Sequence, residues 1–140
     1  MSSMSNIKNY TDLIVWQKAH ANDVMVIELI ESFKNCISLN VIGRQLMKFI
    51  TSMSADIAEG HQSFVGKRYS AFLNYALRST YGSDNWLTLS VDSPRLNGKI
   101  DKALLESIRS RNIEVIKKLS TIIKRLRKRS VTEQPHSLMA

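Results

Sequence analysis

The hydrophobic positions fall into four stretches of helical period, and the two clearest face each other across a short corner. Ile42, Leu46, Phe49, Ile50, Met53, Ile57 and Ala58 recur at three- and four-residue intervals, with Gln45 on the same line. That spacing puts them on one face of a helix. Tyr69, Phe72, Leu73, Ala76, Ser79, Thr80, Ser83, Trp86 and Leu87 form a second stripe whose middle is made of small residues. With Thr51, Ser52, Ser54, Ala55 and Ala58 opposite them, these two helices are predicted to lie near the short end of usual interhelix distances. Gly60, in the corner from Ser54 to Gln62, is expected to end the first of the pair in the left-handed conformation that glycine adopts without steric cost.

Two more helices flank this hairpin. Thr11 is the expected N-cap of the first, with Asp12 in its first turn, and Leu13, Trp16, His20, Val24, Ile27 and either Leu29 or Ile30 its expected core face. Asp101 is the expected cap of the last. There Leu105, Ile108, Asn112, Val115, Ile116, Leu119, Ile122, Ile123 and Leu126 make the strongest apolar stripe in the chain, with Lys117, Lys118, Lys124, Arg125 and Lys128 on the opposite face. Ser38 is the candidate cap of the second helix, and the third starts between Ser63 and Lys67. The predicted spans are about 11–34, 39–59, 64–90 and 101–128. Pro94 and Gly98 break the period between Val91 and Ile100, which reads as a loop. The chain is therefore expected to be all-α: one domain over 11–129, a disordered N-terminus at 1–10 and a flexible tail at 130–140, where Pro135 lies and no period remains.

Composition adds little to this, but charge adds a good deal. The 140 residues suffice for one core. A single cysteine, Cys36, excludes an internal disulfide and suits a reducing compartment. The run Val24–Ile27 is stopped by Glu28, far short of a bilayer span, and the first ten residues lack a signal-peptide core, so a cytoplasmic protein without membrane partners is expected. Net charge is +8, yet residues 95–129 hold twelve of the twenty Lys and Arg and three of the twelve acids, a local excess of +9. Such a field favours a polyanionic partner. Lys117, Lys118, Lys124, Arg125, Arg127, Lys128 and Arg129 would line a helix beside successive phosphates, and Lys67 and Arg68 would add two cations at the start of the third helix. No aromatic residue is interleaved with the strip, which points to backbone or shape recognition rather than base stacking. A merely solvated basic face is the alternative.

Catalytic chemistry is poorly represented. His20, His61 and His136 are scattered, no phosphate-binding glycine loop occurs, and no zinc set can be assembled. No metal or cofactor is expected. Asp56 and Glu59 are the one carboxylate pair of interest. In the last turn of a helix ending at Gly60 they would oppose the helix dipole, so a cation partner is expected from Arg78, Arg68, Lys67 or Arg44.

The string Gln45-Leu46, Ser52-Met53-Ser54-Ala55-Asp56-Ile57-Ala58-Glu59-Gly60, then Tyr69, Phe72-Leu73, Ala76 and Ser79, resembles the four-helix-bundle family of proteins encoded by intervening sequences in bacterial large-subunit ribosomal RNA genes. The opening Tyr10-Thr11-Asp12-Leu13-Ile14-Val15-Trp16-Gln17-Lys18-Ala19 is similar as well. The chain departs from the family pattern at Ser54 (usually Pro), Asp56 (Asn), Arg78 (Gly) and Gly82 (Glu), and Asp56 with Arg78 reads as a compensating charge pair across the hairpin. The resemblance implies an up-down four-helix bundle, a protomer of a basic homopentameric barrel. It also implies kinship with the accessory variability protein of diversity-generating retroelements, a partner of reverse transcriptase and its template RNA. Three functions follow as expectations: a non-enzymatic RNA-binding accessory of a reverse transcriptase, an intervening-sequence protein with a scaffolding role, or a metal-dependent nuclease using Asp56 and Glu59.

Overall fold

The computed structural model describes residues 8–63 and 66–139, with side chains over 8–62 and 68–129. Four helices make up the chain: α1 (Ile14–Glu31), α2 (Ile37–Ser63), α3 (Gly66–Asp92) and α4 (Lys102–Met139), with single 3-10 turns at Tyr10–Asp12 and Pro94–Leu96. There is no strand among the described residues.

Each helix packs on two neighbours. α2 touches α1 and α3, α4 touches α3 and α1, and the diagonal pairs do not meet. One apolar cluster joins Val15 and Ala19 early in α1 with Met53 and Ile57 late in α2, Leu73 and Ala76 early in α3, and Val115, Leu119 and Ile123 of α4. The other joins the opposite ends, Val26 and Leu29 with Leu39, Leu46 and Ile50, Leu87, and Leu105 and Ile108. Early residues of one helix thus meet late residues of the next, which defines an up-down bundle. Between the clusters lies a buried polar layer of Asn22, Asp23, Thr80, Ser83 and Asn112.

The stripes of α2, α3 and α4 face the core as their periods predict, whereas of the expected first-helix face Leu13, Trp16 and Leu29 pack inward and His20, Val24 and Ile27 do not. The buried residues of α1 are Val15, Ala19, Asn22, Asp23, Val26 and Leu29, while Val24 and Ile27 are 47% and 43% exposed and His20 lies outside, its ring stacked on Trp16 at 4.5 Å. The expected face is rotated because two polar residues occupy the core side of α1. A hydrophobic period therefore points to the wrong side of it.

The helix ends also differ. α1 starts not at Thr11 but after the turn Tyr10–Asp12, which Asn9 caps: Asn9 Oδ1 accepts from Thr11 N at 3.2 Å and Asp12 Oδ2 accepts from Asn9 N at 3.1 Å. This reciprocal box orders residues 8–10, which were expected to be disordered; residues 1–7 lie outside the described residues. α2 begins at Ile37, before Ser38, and continues through Gly60 to Ser63. Gly60 is buried in the α2–α3 contact, where a Cβ would stand 2.9 Å from Phe72 Cβ and 3.2 Å from Tyr69 Cδ1. It permits a close approach rather than a helix stop. Gly82 serves the Phe49 ring in the same way, since a Cβ there would meet it at 2.5 Å.

The loop after α3 is as expected. Gly98 takes φ +79, and Asp101 Oδ1 accepts from Leu104 N at 3.1 Å to cap α4. α4 runs on to Met139 rather than stopping near Lys128 before a flexible tail. Pro135, which costs about 3 kcal/mol in a helix interior, falls within this span.

Candidate nucleic-acid interface

α4 is anchored by Val115, Leu119 and Ile123, all buried, with Ile116, Ile122 and Leu126 partly so. Sequence spacing then turns the cations outward. Lys117, Lys124, Arg125, Arg127, Lys128 and Arg129 are exposed and Lys118 is half-buried. From Lys117 to Arg129 the strip extends about 18 Å along the helix axis. No acid interrupts it, and among the described residues Lys117, Lys118, Lys124, Arg125, Arg127 and Arg129 make no ion pair. The one-turn pairs Lys124/Lys128 and Arg125/Arg129 repel by about 0.2–0.5 kcal/mol each. Such repulsion weakens the helix, and a bound anion would relieve it.

The helix dipole does not account for the strip. Its field falls off within the last turn, and the last turn of α4 lies at Met139. The antiparallel topology adds Arg68, exposed at the start of α3. Its neighbour Tyr69 packs against the same apolar cluster as Leu126, which brings Arg68 to the end of the bundle where the strip is densest. The Lys67 side chain lies outside the described residues.

The corner acids are not part of this assembly. Asp56 is half-buried, Arg78 is exposed on α3, and no ion pair joins them. Burial, and then the charge of Glu59, raise the Asp56 pKa, the reverse of what a guanidinium partner would do. Both acids lie more than a turn inside α2 because that helix continues to Ser63, so the expected clash with its carbonyl end does not arise. Among the described residues no group of three or more His, Cys, Asp or Glu is placed to hold a metal ion.

Two features had no place in the sequence reading. The first is the α1 side of the polar layer, Asn22 and Asp23. Asn22 Nδ2 donates to Asn112 Oδ1 at 2.7 Å and to Ile108 O at 3.3 Å, and Asn112 Nδ2 donates to Ser83 Oγ at 3.2 Å. Asp23 beside them is buried with Oδ1 unpartnered, and burial pushes its pKa up to about 7, the Ser54 hydroxyl opposing. The second is a groove between α1 and α4, where Lys18 Nζ and Glu114 Oε2 pair at 3.2 Å.

The fold and this surface define a class, an all-helical four-helix bundle carrying a cationic strip on its last helix. The chain belongs to the 23S rRNA-intervening sequence protein family, whose sequence profile matches residues 11–121. The match stops short of Lys124–Arg129. Among solved structures the chain is similar to a protein with unknown function from the S23 ribosomal protein family of Bacteroides thetaiotaomicron VPI-5482, with 25% identity and a TM-score of 0.68 over 79% of this chain and 99% of that one. Comparison with curated proteins yields no match. Among the described residues no helix is long and apolar enough to cross a membrane.

Proposed function

We propose that the chain is a non-enzymatic RNA-binding protein that holds structured RNA through its phosphates. The strip Lys117, Lys118, Lys124, Arg125, Arg127, Lys128 and Arg129 on α4 is the binding surface, with Lys67 and Arg68 at its edge. The observation that carries this reading is a rigid, acid-free row of outward cations, well inside its helix and mutually repulsive. Phosphates are the ligand that relieves that repulsion. In this reading the protomer works as a homopentamer in the cytoplasm and serves as accessory to a reverse transcriptase, as in diversity-generating retroelements. Family membership is equally compatible with a scaffolding role without a polymerase.

Binding of a structured RNA and of a length-matched DNA duplex to wild type and to a Lys117/Lys118/Lys124/Arg125→Ala variant tests the assignment. Tight binding by wild type, lost in the variant, supports it. Equal affinity of the two proteins refutes it. Sedimentation mass and co-purification with a co-expressed reverse transcriptase test the assembly and the partner.

A further inference from the structure

α1 and α4 leave an open groove of about 430 Å3 lined by Ile14, Gln17, Lys18, Ala21, Arg111 and Glu114. Seven residues are nearly two full turns, so Lys118 lies on the same side of α4 as Arg111, about 10 Å further along it, beside the start of α1. Lys118 is half-buried where Lys117 and Lys124 are exposed, in keeping with that position. Lys18 comes from the opposite wall. Its ion pair with Glu114 at 3.2 Å, between side chains 40% and 57% exposed, is of the kind that contributes little in water and is readily exchanged. Gln17 is already engaged, its Nε2 donating to Thr11 O at 2.8 Å. A concave channel with cations on both walls focuses potential more strongly than the convex crest of α4.

We infer that the RNA backbone runs in the α1–α4 groove, held by Lys18 and Arg111 with Lys118 at its end, and that Glu114 holds Lys18 until a phosphate displaces it. This rests on the reading of α4 as an RNA-binding helix and adds a second wall to it. The test is titration of the full chain with a fluorescein-labelled RNA hairpin over a salt series. It compares wild type, Lys18→Ala/Arg111→Ala, Glu114→Gln, and a charge-matched control, Arg44→Ala/Arg95→Ala, taken from outside the groove. The groove variant is expected to lose about 1.5 from the slope of log K against log salt, two phosphate contacts, and the control far less. Glu114→Gln is expected to tighten binding, an effect that loss of folding cannot mimic. A groove variant indistinguishable from the control, or no tightening in Glu114→Gln, overturns the inference while leaving α4 as the binding helix. Absence of salt-dependent binding by wild type overturns that reading, and this one with it.

Discussion

Asp23→Asn is expected to change how the stability of this bundle depends on pH. In the unfolded chain the carboxyl ionises near 3.8, while in the fold burial raises it to about 7. Between those values the folded protein holds a proton that the unfolded chain has released. Folding stability therefore falls as pH rises through this window: the Asp23 contribution is fully present below about pH 4 and fully lost above about pH 7, where the remaining stability levels off. At about 1.4 kcal/mol per unit the displacement corresponds to roughly 4 kcal/mol, a large share of the 5–15 kcal/mol typical of a domain. Asparagine keeps the size and a neutral polar head but cannot ionise. Urea unfolding followed by far-ultraviolet circular dichroism from about pH 4 to about pH 8 should give a variant whose advantage over wild type grows by roughly 4 kcal/mol across the range. A constant difference between the two proteins, or an advantage that shrinks with rising pH, would refute the burial of Asp23 as the cause.

Three further outcomes are expected. Gly60→Ala should destabilise by roughly 1–2 kcal/mol despite alanine's better helix propensity, because the Cβ has no room against Phe72; a rise in urea midpoint would contradict this. Asn22→Ala should cost about 2–3 kcal/mol by stranding Asn112 Oδ1 in the core, whereas the joint Asn22→Leu/Asn112→Leu variant should cost markedly less; equal costs would count against the network. Asp56→Ala and Arg78→Ala should be additive in a double-mutant cycle to within about 0.5 kcal/mol, and a larger coupling would restore the charge pair.

What was legible in the sequence followed how consistently a single period ran. α2, α3 and α4 present one apolar stripe each, and their core faces were readable. α1 carries two: an inner one containing Asn22 and Asp23, and an outer one with His20, Val24 and Ile27. Polarity in the core cannot be seen from a period, because the partners that satisfy it, Asn112 and Ser83, come from other helices. Gly60 was misread for a related reason. Glycine at a helix end and glycine under a neighbouring Phe72 look alike until the neighbour is placed. The basic strip was legible because charge and spacing lie within one helix. The groove was not, because Lys18 meets Glu114 only through packing.

Phosphate contact by α4 is measured most directly by the number of ions released on binding. For a structured RNA, the slope of log K against log salt should be steep for wild type and should fall by about three in Lys117/Lys118/Lys124/Arg125→Ala. An unchanged slope, with the variant folded as judged by circular dichroism, would mean that the cations of α4 face water only.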